Sequence, residues 1–108
     1  SDESHVVYVA GPYTRPDPIE NTHNVIHVAD ALLEAGICPL IPHLSLMWHL
    51  ASPKPYYCWL EYDRQLLLRC DAVLRVPGAS DGATLECAFA ETRGIPVIRP
   101  DSADPEAA

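Results

Sequence analysis

The chain has 108 residues, of which 48% are hydrophobic, enough for one globular domain with a modest core and too many for a disordered chain. Its formal net charge is −8, from 15 acidic residues against seven Lys and Arg. The chain therefore lacks the basic stripe on which binding of a nucleic-acid polymer depends. It has no apolar run long enough to span a bilayer and no basic, apolar leader, so we expect a cytoplasmic protein without a membrane partner.

Apolar runs typical of strands alternate along the chain with segments of helical period. The pattern predicts strands at 5–10, 37–41, 71–76 and 95–98, and helices at 19–34, 44–50, 56–69 and 82–93. In the first helix the apolar period is carried by Ile19, Ile26, Ala29, Leu32 and Leu33. Pro39 lacks an N–H donor, so we expect the second strand to lie at a sheet edge.

This alternation favours an α/β fold, a small doubly wound parallel sheet of the flavodoxin or Rossmann-like kind. Right-handed crossovers are satisfied by the strand order 2-1-3-4, in one domain over residues 1–100. Residues 101–108 form an acidic tail that we predict to be disordered. Ligands of such sheets bind where the strand order reverses, which here places the loops 11–15 and 77–82 at one cleft.

The loop after the third strand opens a helix whose first turn carries Glu86. A loop that leads into a helix N-terminus can hold an anion on its backbone N–H groups. Ser80 there is either a helix cap or a phosphate ligand, and Gly82 would let the backbone approach that phosphate. Glu86 is either a first-turn acid favoured by the helix dipole or a catalytic carboxylate.

Asp63 interrupts an apolar stripe of the helix 56–69, whose other members are Tyr56, Leu60, Leu67 and Cys70. A carboxylate in such a stripe is rarely tolerated unless it is paired or lies at a site. The alternative is a different helix phase that lets Asp63 pair with Arg64 or Lys54.

Further candidates lie near the same strand ends. Tyr8 is either a packing residue of the first strand or holds a carboxylate through its hydroxyl group. Gly11, Thr14 and Arg15 belong to the first loop, where they are candidates for contact with the same anion. His43 follows the second strand and is either a ligand contact or a surface histidine.

The sequence predicts no metal and no cofactor. Cys38, Cys58, Cys70 and Cys87 form no C-x-x-C pair, and we expect most of them to be buried free thiols. His23 and His27 have helical spacing but lack a third ligand for zinc. The chain contains neither G-x-G-x-x-G nor a Walker A motif, which leaves dinucleotide and NTP chemistry without support.

Several segments together resemble the nucleoside 2-deoxyribosyltransferase superfamily: YVAGPYT near the start, PH after the second strand, YDRQLLLRCDAVL, and S-x-G-x-x-x-E. The resemblance covers residues 5–99 and is nearest to the nucleoside 5′-monophosphate N-glycosidases and to small phage and bacterial relatives. The segment 44–55 is this chain's own.

The resemblance implies that Glu86 is the nucleophile, that Asp63 assists the leaving base, and that Tyr8 orients Glu86. Ser80 stands where the monophosphate hydrolases carry a Ser for the phosphate. The implied function is retaining hydrolysis of the N-glycosidic bond of a (deoxy)nucleoside 5′-monophosphate, through a covalent glycosyl ester on Glu86. The alternatives are a deoxyribosyltransferase, a non-catalytic nucleotide-binding module and a structural protein. The implied partners are a small nucleotide or nucleoside and a second copy of the chain, in a homodimer with shared sites.

Overall fold

The computed structural model describes residues 5–99, in which four strands form one sheet packed against helices. The strands are β1 (Val6–Ala10), β2 (Cys38–Leu40), β3 (Ala72–Arg75) and β4 (Val97–Ile98). The helices are α1 (Pro18–Glu34), α2 (Ser45–Ala51), α3 (Tyr56–Leu67) and α4 (Asp81–Thr92), and a 3₁₀ turn (Pro42–Leu44) precedes α2. The acidic tail predicted at 101–108 lies outside the described residues.

All neighbouring strands are parallel, and their order is β2-β1-β3-β4. The predicted α/β fold and strand order are therefore confirmed. In the register, Tyr8 of β1 lies beside Leu40 on one side and Val73 on the other. Pro39 does lie on an edge strand, where its missing N–H costs no hydrogen bond to a further strand.

β1 is the central strand and is buried on both faces of the sheet from Val7 to Ala10. Because successive side chains of a strand point to opposite faces, Tyr8 and Ala10 share one face. They pack there in the main core with residues of α3, β3, α4 and the turn between α3 and β3, namely Leu67, Cys70, Val73, Ala83, Cys87 and Ala90. The hydroxyl-bearing ring of Tyr8 is thereby directed toward α3 and α4.

α1 is the longest helix, with 17 residues, and no helix within residues 5–99 is both long and apolar enough to cross a bilayer. Its buried positions are Asn21, Val25 and Ala29. Of the predicted stripe, Ala29 is buried and Ile26 and Leu32 are partly buried, but Ile19 and Leu33 are 70% and 63% exposed, so the prediction was wrong for those two. The polar Asn21 belongs to the inward face because its amide holds the loop before the helix, and hydropathy does not register that role.

α4 lies close to the sheet because its inward positions hold small side chains. Ala83, Cys87 and Ala90 follow one another at spacings of four and three, and all three are buried. Glu86 falls on the same side of the helix, between Ala83 and Cys87. The small residues thus bring a carboxylate near the end of β1.

The cysteines are all free thiols, but only Cys70 and Cys87 are buried. Cys58 is half-buried and Cys38 is exposed at the edge strand. The expectation that most of these thiols are buried is therefore wrong for two of them. His23 and His27 pack edge to face with ring centroids 4.6 Å apart on α1.

Candidate functional site

A cleft of about 750 Å³ opens at the carboxyl ends of β1 and β3, where the strand order reverses. Pockets of this size hold small organic ligands. Its walls come from the loop 11–15, from the segment 42–60, from Asp63, and from residues 79–83 with Glu86. The predicted site residues that line it are Gly11, Thr14, Arg15, His43, Asp63, Ser80, Gly82 and Glu86. Tyr8 is fully buried and lies behind Glu86.

Tyr8 and Glu86 are in direct contact. The Tyr8 hydroxyl group donates a hydrogen bond of 2.7 Å to Oε2 of Glu86, between residues 78 positions apart in sequence. Oε1 of Glu86 accepts no hydrogen bond from the described residues and is not fully buried. One carboxylate oxygen is therefore held from behind, while the other is open to a ligand in the cleft.

Glu86 is the sixth residue of α4, because the helix begins at Asp81. It is therefore not a first-turn acid, and the stabilisation by the helix dipole considered for it falls to Asp81 instead. Burial raises the pKa of Glu86, and the Tyr8 hydrogen bond and the guanidinium groups of Arg75 and Arg64 partly offset that rise. Burial and the negative charge of Glu86 in turn raise the pKa of Tyr8, which remains a hydrogen-bond donor.

Asp63 is a half-buried carboxyl group without a cationic partner among the described residues. Its Oδ1 is buried and makes no hydrogen bond there, so the proposed pairing with Arg64 or Lys54 is not found. Burial and then the charge of Glu86 raise the pKa of Asp63 to about 7. A neutral carboxylic acid tolerates such a position better than a carboxylate, because it loses less hydration energy on burial.

The apolar stripe that Asp63 interrupts runs from the core into the cleft. Leu67 and Cys70 are buried, whereas Leu60 and Asp63 line the cleft. Tyr56 also lines the cleft and is 68% exposed, so it is not a core residue. One face of this helix therefore contributes to the core at its C-terminal end and to the cleft nearer its N-terminal end.

Ser80 is the N-cap of α4, and its Oγ accepts a hydrogen bond of 3.1 Å from the N–H of Ala83. The N–H of Thr84 is bonded to the Ser80 carbonyl group. Within residues 5–99 the N–H groups of Asp81 and Gly82 have no such partner, as is usual for a first helical turn. Capping and ligand binding are compatible here, because the Ser80 hydroxyl proton remains free to donate.

Asn21 holds the first loop in shape. Its side-chain amide donates to the carbonyl oxygens of Tyr13, at 3.0 Å, and Arg15, at 2.7 Å. Thr14 and Arg15 are themselves exposed at the cleft. Sequence reasoning missed Asn21, and its only signal was an amide on the same helix face as Val25.

Glycine at position 11 is favoured by close packing of the first loop. A Cβ atom there would lie 3.0 Å from Cβ of Val76 and 3.2 Å from Cγ1 of Val25. Gly82 differs, since the nearest atom to an added Cβ would be Oγ of Ser80 at 3.9 Å. The space beside Gly82 is therefore free for a ligand.

The two loops of the cleft are in close contact at Gly78. This residue has a φ of +130°, and a Cβ atom there would lie 2.7 Å from Cγ of Pro12. Arg75 donates to the carbonyl oxygens of Val76 and, at 2.9 Å, Gly78. Arg75 was also missed from sequence, where it falls inside the predicted strand 71–76, whereas in the structure it is the last residue of β3.

His43 is 4% exposed, so it is not a surface histidine. Its Nε2 lies 2.9 Å from the carbonyl oxygen of Pro12, and its ring packs edge to face on Tyr13. Burial lowers the pKa of His43, which favours the neutral ring with its proton donated from Nε2 to Pro12. His43 thus supports the first loop as well as lining the cleft.

An aromatic cluster of α2 and α3 lies behind the remaining wall. Trp48, Trp59 and Tyr62 pack mutually edge to face, with centroids 5.1 to 5.9 Å apart. His49 lies beside this cluster and accepts a hydrogen bond of 2.8 Å from Nε1 of Trp59. Only Trp59 and His49 of this group reach the cleft, and neither was predicted as a site residue.

The acids and histidines of the cleft do not form a metal centre. Within the part of the chain that the structure describes, no three His, Cys, Asp or Glu side chains are arranged to hold an ion. The cleft presents the half-buried carboxyl groups of Asp63 and Glu86 together with loop N–H and hydroxyl donors.

The fold is shared with a solved "2-desoxiribosyltransferase from Leishmania mexicana", with a TM-score of 0.66 at 20% sequence identity. That likeness covers 87% of this chain and 62% of the other, so this chain spans less than two thirds of its length. It confirms the fold that the resemblance to nucleoside 2-deoxyribosyltransferases implied. No curated protein matches the sequence. Residues 5–99 match the model of a family described as "Domain of unknown function (DUF7768)", and the chain belongs to that family.

Proposed function

We propose that this protein hydrolyses the N-glycosidic bond of a nucleoside 5′-monophosphate with retention at the sugar carbon. The observation that carries the proposal is the hydrogen bond from the buried Tyr8 hydroxyl group to Glu86, next to Asp63 in one cleft. Two carboxyl groups whose environments differ are the arrangement that such cleavage needs. The shared fold of a deoxyribosyltransferase supports the same class of reaction.

In the first step Glu86 acts as the nucleophile. Its Oε1 forms a bond to the anomeric carbon while the bond from that carbon to the base nitrogen breaks. The electron pair of the broken bond goes to the base, which takes the proton of Asp63. With a pKa of about 7, Asp63 retains that proton in a good part of the molecules at neutral pH.

In the second step water displaces Glu86 from the anomeric carbon of the sugar. Asp63, now ionised, accepts a proton from the water molecule. The water oxygen bonds to the anomeric carbon, and the ester bond from that carbon to Glu86 breaks. The Tyr8 hydroxyl group stabilises the carboxylate that leaves. The products are free base and sugar 5-phosphate, and both side chains return to their starting protonation states.

The N-terminus of α4 is the proposed binding site of the phosphate group. The free N–H groups of Asp81 and Gly82, with the Ser80 hydroxyl group, suit an anion. Arg15 lines the same cleft from the first loop and contributes a positive charge.

Sugar transfer to a second base is the other candidate, and Asp81 favours it. This exposed acid lines the cleft directly beside Ser80, where it would repel a phosphate but accept a hydrogen bond from a 5′-hydroxyl group. The solved relative of the same fold bears the name of a transferase. Asp63, a half-buried carboxyl group whose buried Oδ1 makes no hydrogen bond to the described residues, counts against a module that only binds nucleotides, since binding alone does not require it.

The test is incubation with matched nucleosides and 5′-monophosphates, with released base measured by chromatography. Hydrolysis predicts base release from monophosphates, and Glu86→Gln should lower it at least a thousandfold while nucleotide binding persists. The control is Glu20→Gln, at an exposed position of α1 outside the cleft. Full base release by Glu86→Gln would refute the assignment.

A second arm adds excess free acceptor base to the same reactions. A new nucleoside as the main product, formed faster from nucleosides than from monophosphates, would establish transfer instead. Asp81→Asn separates the two further, because it should improve the KM for monophosphates and worsen it for nucleosides. Ligand-induced thermal stabilisation without any product would leave a binding module as the function.

The proposed active form is a homodimer. Apolar side chains of α2 and the start of α3 are exposed, among them Met47 at 74%, Trp48 at 48% and Tyr56 at 68%. Exposed apolar side chains clustered in this way favour association. Sedimentation as a monomer at micromolar concentration would contradict it.

A further inference from the structure

His49 is fixed in one orientation at the wall of the cleft. It belongs to α2, and its Nδ1 accepts hydrogen bonds from two donors. These are Nε1 of Trp59, at 2.8 Å, and the backbone N–H of Lys54, at 3.3 Å. The imidazole and indole rings lie edge to face with centroids 5.9 Å apart.

These contacts decide which nitrogen of the ring carries the proton. An indole N–H and a backbone N–H are donors only, so Nδ1 must present its lone pair to them. The proton of the neutral ring therefore lies on Nε2. Nε2 makes no hydrogen bond to residues 5–99 and is not fully buried, and His49 and Trp59 both line the cleft. His49 thus offers the cleft one donor that cannot become an acceptor without loss of the Trp59 contact.

The donor stands on the side of the cleft where the base would leave. Trp59, which holds His49, is one helical turn from Asp63 on α3, so the two share a face of that helix. Asp63 is the residue that would protonate the base. A base in contact with Asp63 is therefore flanked by the His49 ring.

We propose, on the basis of the function given above, that His49 is a specificity-determining residue whose Nε2–H donates to a carbonyl oxygen of the nucleobase. A carbonyl group accepts this hydrogen bond, whereas the amino group of an otherwise similar base presents a second donor. The site therefore prefers oxo bases, such as 6-oxopurines and 4-oxopyrimidines, over their amino counterparts. A donor left facing another donor loses its hydrogen bond to water without replacement, which disfavours the amino base.

The test compares matched oxo and amino substrates in the full-length protein. The pairs are inosine against adenosine 5′-monophosphate and uridine against cytidine 5′-monophosphate, together with the corresponding deoxy forms and nucleosides. The variant His49→Asn keeps a side-chain acceptor for Trp59 but is too short to donate from the position of Nε2. Trp59→Phe keeps a ring but removes the N–H that fixes the proton of His49. His23→Asn, at an exposed position of α1, is the matched control.

The wild type should cleave the oxo member of each pair about tenfold faster in kcat/KM, and His23→Asn should retain that ratio. His49→Asn should bring the ratio to about one through a loss on oxo substrates, and Trp59→Phe should reduce it in part. A merely structural role for His49 would lower thermal stability and leave the ratio unchanged, and that result would overturn the proposal. Base release with a wild-type ratio near one would also overturn it while the proposed function stands. Absence of base release from every substrate would refute both.

Discussion

The Tyr8 hydroxyl group and Oε2 of Glu86 lie 2.7 Å apart, one at the centre of the sheet and the other on the inward side of α4. The hydrogen bond exists because β1 directs Tyr8 toward that helix and because small residues of α4 let it approach. It fixes one oxygen of the carboxylate and leaves the other open to the cleft.

Tyr8→Phe tests the role of that hydrogen bond. The bond lowers the pKa of Glu86, so its loss should raise that pKa and move the acidic limb of the kcat profile to higher pH. We also expect kcat to fall about tenfold to a hundredfold, because the nucleophile is less well oriented. Tyr57→Phe, at a residue 70% exposed, is the control and should leave the profile unchanged. Superimposable profiles for Tyr8→Phe and wild type would contradict the prediction.

The pH dependence of base release should show the titration of Asp63. Activity requires Asp63 protonated and Glu86 ionised, so kcat should decline as pH rises past about 7, the pKa of Asp63. Asp63→Asn cannot donate the proton, so it should lose most activity and also lose this alkaline limb. An unchanged limb in the residual activity of Asp63→Asn would assign the titration to another group.

Asp63→Asn should also stabilise the fold at alkaline pH. The folded-state pKa of about 7 lies above the unfolded value of 3.8, so the folded state holds the proton more tightly. The stability that this gives is complete below pH 4 and is lost as pH rises toward 7. Urea unfolding should therefore show Asp63→Asn more stable than wild type at pH 8, by up to about 4 kcal/mol, and about equal to it at pH 4. Asp30→Asn, at an exposed residue of α1, should show no such difference.

Gly78→Ala should be the most damaging glycine substitution in the loops that enclose the cleft. It combines a φ of +130° with a Cβ atom 2.7 Å from Pro12, so we expect a loss of about 3 kcal/mol in the free energy of unfolding. Gly94→Ala isolates the backbone term, because Gly94 has a φ of +75° and open space around it, and should cost about 1 kcal/mol. Equal losses for the two variants would show that the contact with Pro12 is not rigid.

Gly82→Ala should affect ligand binding rather than stability, and it can be measured in the same denaturation series. Its added methyl group meets nothing nearer than 3.9 Å, so the fold should keep its stability. The methyl group would occupy the cleft beside Ser80, and KM should rise for any ligand held there. Unchanged KM would place the ligand elsewhere in the cleft.

Asn21→Asp should loosen the first loop. A carboxylate of the same shape cannot donate to the carbonyl groups of Tyr13 and Arg15, and it repels them. We expect a loss of about 2 kcal/mol in the free energy of unfolding, together with a higher KM. Asn24→Asp introduces the same charge at an exposed position of the same helix and should change neither. Hydrogen exchange at residues 13–15 would locate the effect.

The sequence by itself determined the order of strands and helices, the parallel sheet, and the cleft at which its loops meet. Hydrophobic periodicity carries this information because burial repeats with the local geometry of each element. It also singled out Asp63, since a carboxyl group in an apolar stripe is visible without a structure. In α1 it failed for Ile19 and Leu33, which are exposed, and it missed the polar Asn21, which is buried.

Only the tertiary structure decided which polar groups meet. The hydrogen bond between Tyr8 and Glu86 depends on strand register and on the depth of a helix, and neither leaves a local trace in the sequence. The hydrogen bond from Arg75 to the loop after β3 likewise leaves no local trace in the sequence. Nor does the position of the proton on His49, which is set by Trp59 from a different helix. Local patterns place residues on elements, whereas the partners of a buried polar group are chosen by packing across the whole chain.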